Sequence, residues 1–142
     1  MRIRYDLFPG GKTKALTLSF DDGREYDRRL VRIFNEYGLR GTFHLNSGFL
    51  GNPSYIEAGE VVALYAGHEI SAHTVEHPFL EQSPPERVVM EIMEDRQALE
   101  ALAGYPVRGM SYPFGTWNAQ VAGMLAVAGD RICAYGQELR NV

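Results

Sequence analysis

Gly67-His68-Glu69-Ile70-Ser71-Ala72-His73-Thr74-Val75-Glu76-His77-Pro78 reads as a short apolar strand over residues 69–72, running out into a turn that carries two histidines. His73 and His77 are four residues apart. One helical turn would bring both imidazoles to one face, the spacing a divalent ion needs from two nitrogen ligands. Pro78 closes the turn, because it cannot continue a hydrogen-bonded helix. Taken alone, the spacing reads equally well as two solvated loop histidines.

A third donor lies upstream. Leu16-Thr17-Leu18-Ser19-Phe20 is an apolar, β-prone run, followed at once by Asp21-Asp22-Gly23. Two adjacent carboxylates at the end of a buried strand are costly unless a cation or hydrogen bonds hold them. Two histidines and one aspartate leave an open position for water, as in catalytic rather than structural metal sites. The other aspartate is then free to act as a base.

The rest of the chain alternates in the same way. Strands are expected over residues 15–20, 41–45, 69–72 and 107–111, with one more around 132–135. Helices are expected over 27–37, 57–65, 83–103 and 118–128. The first would bury Leu30, Ile33, Phe34 and Tyr37. The third would bury Val88, Ile92, Leu99 and Leu102, with Met90 and Met93 as core filler. Asn118 is the expected cap of the last. Such alternation predicts an α/β fold of parallel strands, with its site at their C-terminal ends. Residues 1–142 form one domain, with an N-terminal arm ending at Pro9-Gly10-Gly11. His44, in a strand, is expected to be packed and hydrogen-bonded rather than part of the site. His68 stands at the wrong end of its strand to be a ligand, and Glu76 reads as solvated. The cluster from Tyr112 to Trp117 lines a strand end, either as core or as a stacking surface for a sugar.

Composition excludes several function classes. The chain has 142 residues, 45% hydrophobic and 23% charged, enough for one core. With net charge −4 and no basic run, nucleic acid is not an expected partner. No apolar stretch could span a bilayer, and residues 1–6 carry no signal-peptide pattern. The single cysteine, Cys133, excludes an internal disulfide, so the expected location is the cytoplasm.

Three stretches then acquire a joint meaning. Ser19-Phe20-Asp21-Asp22-Gly23, then Gly67-His68-Glu69-Ile70 with His73-Thr74-x-x-His77-Pro78, then Ser111-Tyr112-Pro113-Phe114-Gly115 resemble, in order, the first three motifs of the NodB-homology polysaccharide deacetylases (carbohydrate esterase family four). The resemblance covers residues 15–128. It implies a distorted (β/α) barrel. It also implies a divalent metal, Zn2+ foremost with Co2+, Ni2+ or Mn2+ as alternatives, held by Asp22, His73 and His77. By motif position Asp21 is the catalytic base, and the Phe114 N–H donates to the oxyanion. Tyr112, Pro113 and Trp117 would face the substrate. The implied reaction is hydrolytic removal of an N-acetyl (or O-acetyl) group from a sugar or oligosaccharide.

Two departures matter. Ser111 stands where the family often has an arginine. The chain also stops before the family's last two motifs, and no histidine follows His77 to serve as general acid. The barrel is therefore expected to be incomplete, lacking its last strands and helices. One codon choice for the tail, with a single G removed at Gly129, reads Gly-Ile-Glu-Tyr-Ala-Arg-Thr, close to the family's next strand. A one-nucleotide shift near Asp130 is the resulting expectation, and the gene's codons decide it. Exposed core faces would then favour a homo-oligomer. Two other functions stay open: a non-catalytic metal- or carbohydrate-binding remnant, and an amidohydrolase acting on a small cytosolic C–N substrate.

Overall fold

Side chains alternate along each strand, and the two faces of the sheet differ in chemistry. Phe20, Phe43, Leu45, Ile70, Ala72 and Met110 point one way and pack under helices. Asp21, His44, Ser71 and Ser111 occupy the alternate positions. A flat parallel sheet would be apolar on both faces. Polar residues on one face suit a sheet that curls around an interior site.

The computed structural model describes residues 7–128 and 131–133. Five parallel strands follow one another in order: β1 (Ser19–Asp22), β2 (Thr42–Leu45), β3 (Glu69–Ala72), β4 (Gly109–Ser111) and β5 (Arg131–Cys133). Helices α1 (Asp27–Glu36), α2 (Val61–Leu64), α3 (Pro85–Ala103) and α4 (Ala119–Ala128) join successive strands. This is the parallel α/β arrangement that the alternation predicted, and the partial (β/α) barrel that the family resemblance implied. The tail reading beyond Cys133, including Tyr135, and the arm before Leu7 lie outside the described residues. No helix among the described residues is long and apolar enough to cross a membrane.

Several boundaries and faces depart from expectation. β1 is shifted toward the C-terminus, so both aspartates lie within the strand rather than after it. In α1 the buried side chains are Asp27, Val31 and Phe34, while Ile33 and Tyr37 are exposed. Phe34 sets this face, packing edge-on to Phe20 at 5.6 Å and near Phe43 at 6.3 Å. Met90 and Met93 are exposed rather than core filler. Acids take the places beside them: α3 buries Val88, Glu91, Ile92, Asp95 and Leu99. Asn118 caps α4 as expected, its Oδ1 accepting the Val121 N–H at 2.9 Å.

His68 is a structural residue. Its Nδ1 accepts the Gly41 N–H at 3.2 Å, so Nε2 carries the proton and donates to Asn35 Oδ1 at 3.2 Å. One ring thus ties the start of β3 to β2 and α1. Beside it, Gly67 has φ +84°, and a Cβ there would collide with the Arg40 guanidinium, which donates to the Gly67 carbonyl. Only glycine meets both conditions.

Under α1, the buried Asp27 carboxylate accepts the Tyr65 hydroxyl at 2.6 Å. Burial pushes its pKa up to about 6, only partly offset by the Tyr65 hydrogen bond. A carboxyl raised above its unfolded value protonates first in the native state. The cost of its charge is full above pH 6 and disappears as pH falls toward 3.8. Asp27→Asn keeps an acceptor for Tyr65 without the charge. It should stabilise the fold at pH 8 by about 1–2 kcal/mol, after allowance for screening by water, and by progressively less below pH 6. Urea unfolding at pH 8 and pH 5 checks this. A gain that is the same at both values would rule out the charge explanation.

Candidate active site

The C-terminal ends of β1, β3 and β4 bring three separated stretches together. Asp22 ends β1 with φ +80°, a left-handed conformation unusual for a residue with a side chain. Its carboxylate is turned toward the histidine loop: Oδ1 lies 3.7 Å from His73 Nε2 and 3.6 Å from His77 Nε2. The donor atoms of the three residues all lie within 4.8 Å of one another.

The histidines do not share a helical turn. Residues 73–78 form an irregular loop in which Thr74 (φ +69°) and His77 (φ +55°) are left-handed. The Thr74 Oγ1 accepts the His77 N–H at 3.1 Å and folds the loop back on itself. The rings end 4.7 Å apart, edge to face. Convergence therefore comes from a strained turn rather than from helical periodicity. Of five non-glycine residues with positive φ among the described residues, four surround this site: Asp22, Thr74, His77 and Phe114. Strain of this kind costs about 1–3 kcal/mol per residue and persists only where the surroundings enforce it.

The enforcement comes from α3. Asp95, fully buried, accepts the His73 N–H at 2.9 Å and the Ser47 N–H at 2.7 Å. One turn earlier, Glu91 accepts the Glu76 N–H at 2.9 Å. Asn46, at the end of β2, donates its side-chain amide to the carbonyls of His73 (2.5 Å) and Thr74 (2.9 Å). Sequence reasoning missed all three. The available signal was the pair of acids at 91 and 95 within the apolar register of Val88, Ile92 and Leu99.

His73 could hold a metal ion through its Nε2. Its Nδ1–H donates to the Ser111 carbonyl at 2.9 Å, which leaves Nε2 bare and aimed at Asp22. Burial holds its pKa below the ordinary histidine value and so favours the neutral form that binds metal. Two imidazoles and a carboxylate fit Zn2+ or a neighbouring divalent ion. The Ser111 hydroxyl also donates to Asp21 Oδ1 at 3.1 Å, orienting the second aspartate from the position where an arginine was the alternative.

His44 corrects the expectation of a hydrogen-bonded strand residue. It is fully buried, yet neither ring nitrogen makes a well-formed hydrogen bond. Burial lowers its pKa, although the nearby Asp21 charge and the Ala72 backbone act the other way.

The aromatic cluster divides. Tyr112 is 5% exposed and Pro113 is buried, so neither presents an open ring face. Trp117 is half exposed and lies parallel to Tyr112, with centroids 6.2 Å apart. Phe114 has φ +60°; its ring stacks on Phe79 at 3.8 Å and meets the edge of His77 at 4.4 Å.

The family described as polysaccharide deacetylase matches residues 9–132. The peptidoglycan-N-acetylglucosamine deacetylase PgdA of Listeria monocytogenes is 29% identical over 84% of this chain and 26% of its own length. A chitooligosaccharide deacetylase of Azorhizobium caulinodans is 30% identical over 89% of this chain and 60% of its own. The structure of Streptococcus pyogenes deacetylase PplD, in complex with acetate, superposes with TM-score 0.80 at 22% identity, over 88% of this chain and 56% of that one. The chain thus spans between a quarter and three-fifths of these relatives. Matched over most of its own length, and with the matching motifs gathered at one end of the sheet, the chain belongs to the polysaccharide deacetylase family.

Proposed function

We propose that this site removes the acetyl group from an N-acetylated sugar, with a divalent metal, Zn2+ foremost, held by Asp22, His73 and His77. The observation that carries the reading is the convergence of those three donors within 4.8 Å, beside an Asp21 that is oriented but is not itself one of them. The names of the relatives support the acetylated-sugar substrate.

A divalent ion bound there supplies a lowered water pKa and a polarised acyl carbonyl. Asp21, kept in place by the Ser111 hydroxyl, takes the proton from the attacking water. The water oxygen bonds to the acyl carbon, and the carbon–nitrogen bond then breaks. Acetate and a free amine result, and the proton held by Asp21 meets the need of the departing nitrogen. The Phe114 N–H, free of the backbone hydrogen bonds among the described residues, can donate to the developing oxyanion. The exposed face of Trp117 offers an apolar surface to a sugar ring.

The test is acetate release from N-acetylglucosamine oligomers by the purified chain. Release should stop after chelation and return on adding Zn2+ or Co2+. Release that survives chelation would remove the metal from the mechanism. A chain that binds metal but frees no acetate from any oligomer would overturn the sugar reading and favour a small amide substrate.

A further inference from the structure

Arg24 follows the Asp-Asp-Gly turn directly, and its position is set from two sides. Its Nε lies 3.6 Å from Asp22 Oδ2, while the opposite oxygen of that carboxylate faces His73 and His77. Its guanidinium carbon sits 4.2 Å over the Tyr55 ring, and residues 24 and 55 are joined by an antiparallel bridge. Stacking on an aromatic ring restrains an arginine that is otherwise exposed. The terminal nitrogens of Arg24 have no partner among the described residues. The molecule therefore presents a fixed, partly solvated guanidinium one carboxylate away from the metal donors.

The first turns of α1 carry a separate basic cluster. α1 begins three residues after Arg24, and its outer side carries Arg28, Arg29 and Arg32, which line a shallow surface cavity with Glu25 and Tyr26. Glu60 neutralises Arg28 through a bidentate pair. Arg29 and Arg32 have no ion-pair partner among the described residues. This basic strip belongs to a chain whose net charge is −4, so overall composition does not account for it.

We infer that Arg24 binds an anionic substituent of the substrate, so that the preferred substrate is an N-acetylated glycan bearing carboxylate, phosphate or sulfate groups. The inference rests on the deacetylase reading for the position of the acetyl group. It adds that the sugar carries negative charge and that its charged side lies toward α1. Guanidinium is suited to this task because its planar donors pair with two oxygens of such an anion at once.

The experiment compares dissociation constants of the Zn2+-loaded chain for neutral N-acetylglucosamine and for its 6-phosphate, its 6-sulfate and N-acetylmuramic acid. At least one anionic sugar should bind about tenfold more tightly than the neutral one. That advantage should shrink with added salt, disappear in Arg24→Gln and survive in part in Arg24→Lys. The inference is overturned if no anionic sugar is preferred, or if Arg24→Gln keeps the preference in a chain that still binds Zn2+. Acetate release is recorded in parallel. Charge preference without acetate release would support anion binding by Arg24 and defeat the deacetylase reading, whereas acetate release without charge preference would do the reverse.

Discussion

Asp21→Asn is expected to lower acetate release by about 100–10,000-fold while metal affinity stays within a small factor of the unaltered chain. The reason is geometric. Asparagine retains an oxygen that can accept the Ser111 hydroxyl, now held at 3.1 Å, so the side chain keeps its place and loses only its ability to take a proton. The three donors proposed for the metal lie on the other aspartate and the two histidines. Zinc titration alongside acetate release separates the two effects. Asp22→Asn should give the contrasting result, with weakened metal binding and loss of activity together. If Asp21→Asn releases acetate at the unaltered rate, the assignment of the base is wrong. If it loses metal as well, the two aspartates do not have the separate roles argued for them.

The second large effect lies away from the metal. Asp95→Ala would leave the Ser47 and His73 N–H groups without an acceptor in a fully buried position. Each orphaned donor costs about 1–3 kcal/mol, so a loss of about 2–5 kcal/mol in unfolding free energy is expected. Metal affinity should fall by more than stability alone explains, because the strained loop that presents His73 and His77 loses its anchor. Glu91→Gln is the milder companion. It keeps an oxygen for the Glu76 N–H and should change both quantities much less. Equal losses of metal affinity in the two variants would argue against a specific anchoring role for Asp95. The pH dependence of Asp95 runs opposite to that of a stabilising ion pair. Burial raises its pKa to about 6. The native state therefore takes up this proton before the unfolded chain does, and acid between pH 6 and 3.8 relieves the buried charge rather than breaking the fold.

The sequence by itself determined the alternation of strands and helices, the position of the site at strand ends, and the two histidines with one of two adjacent aspartates as its donors; the family resemblance picked out Asp22. Those features are local. Apolar runs followed by Asp-Asp-Gly or His-x-x-x-His are written in consecutive residues, and a parallel sheet necessarily brings the C-terminal ends of its strands together. That His68 is not a ligand was legible for the same reason, since its place before β3 puts it at the far end of the strand from the site; its structural hydrogen bonds came from the tertiary structure.

Tertiary structure alone decided how the donors meet. A helical turn was the natural reading of residues 73–77. The observed loop is left-handed at two positions because Asp95, Glu91, Asn46 and the Thr74 hydroxyl satisfy its polar groups in that shape. Their sequence separations from the loop extend to 28 residues for Asn46, beyond any local periodicity. The same holds for Ser111, which reaches Asp21 from 90 residues away. It holds for Arg24, whose exposed position in sequence gives no sign that Tyr55 restrains it. Which face of α1 is buried also depended on packing, because Phe34 is drawn in by Phe20 and Phe43 on the sheet. Hydrophobic pattern specifies which elements form. The hydrogen-bond requirements of buried backbone in the connecting loop determine where the histidines point.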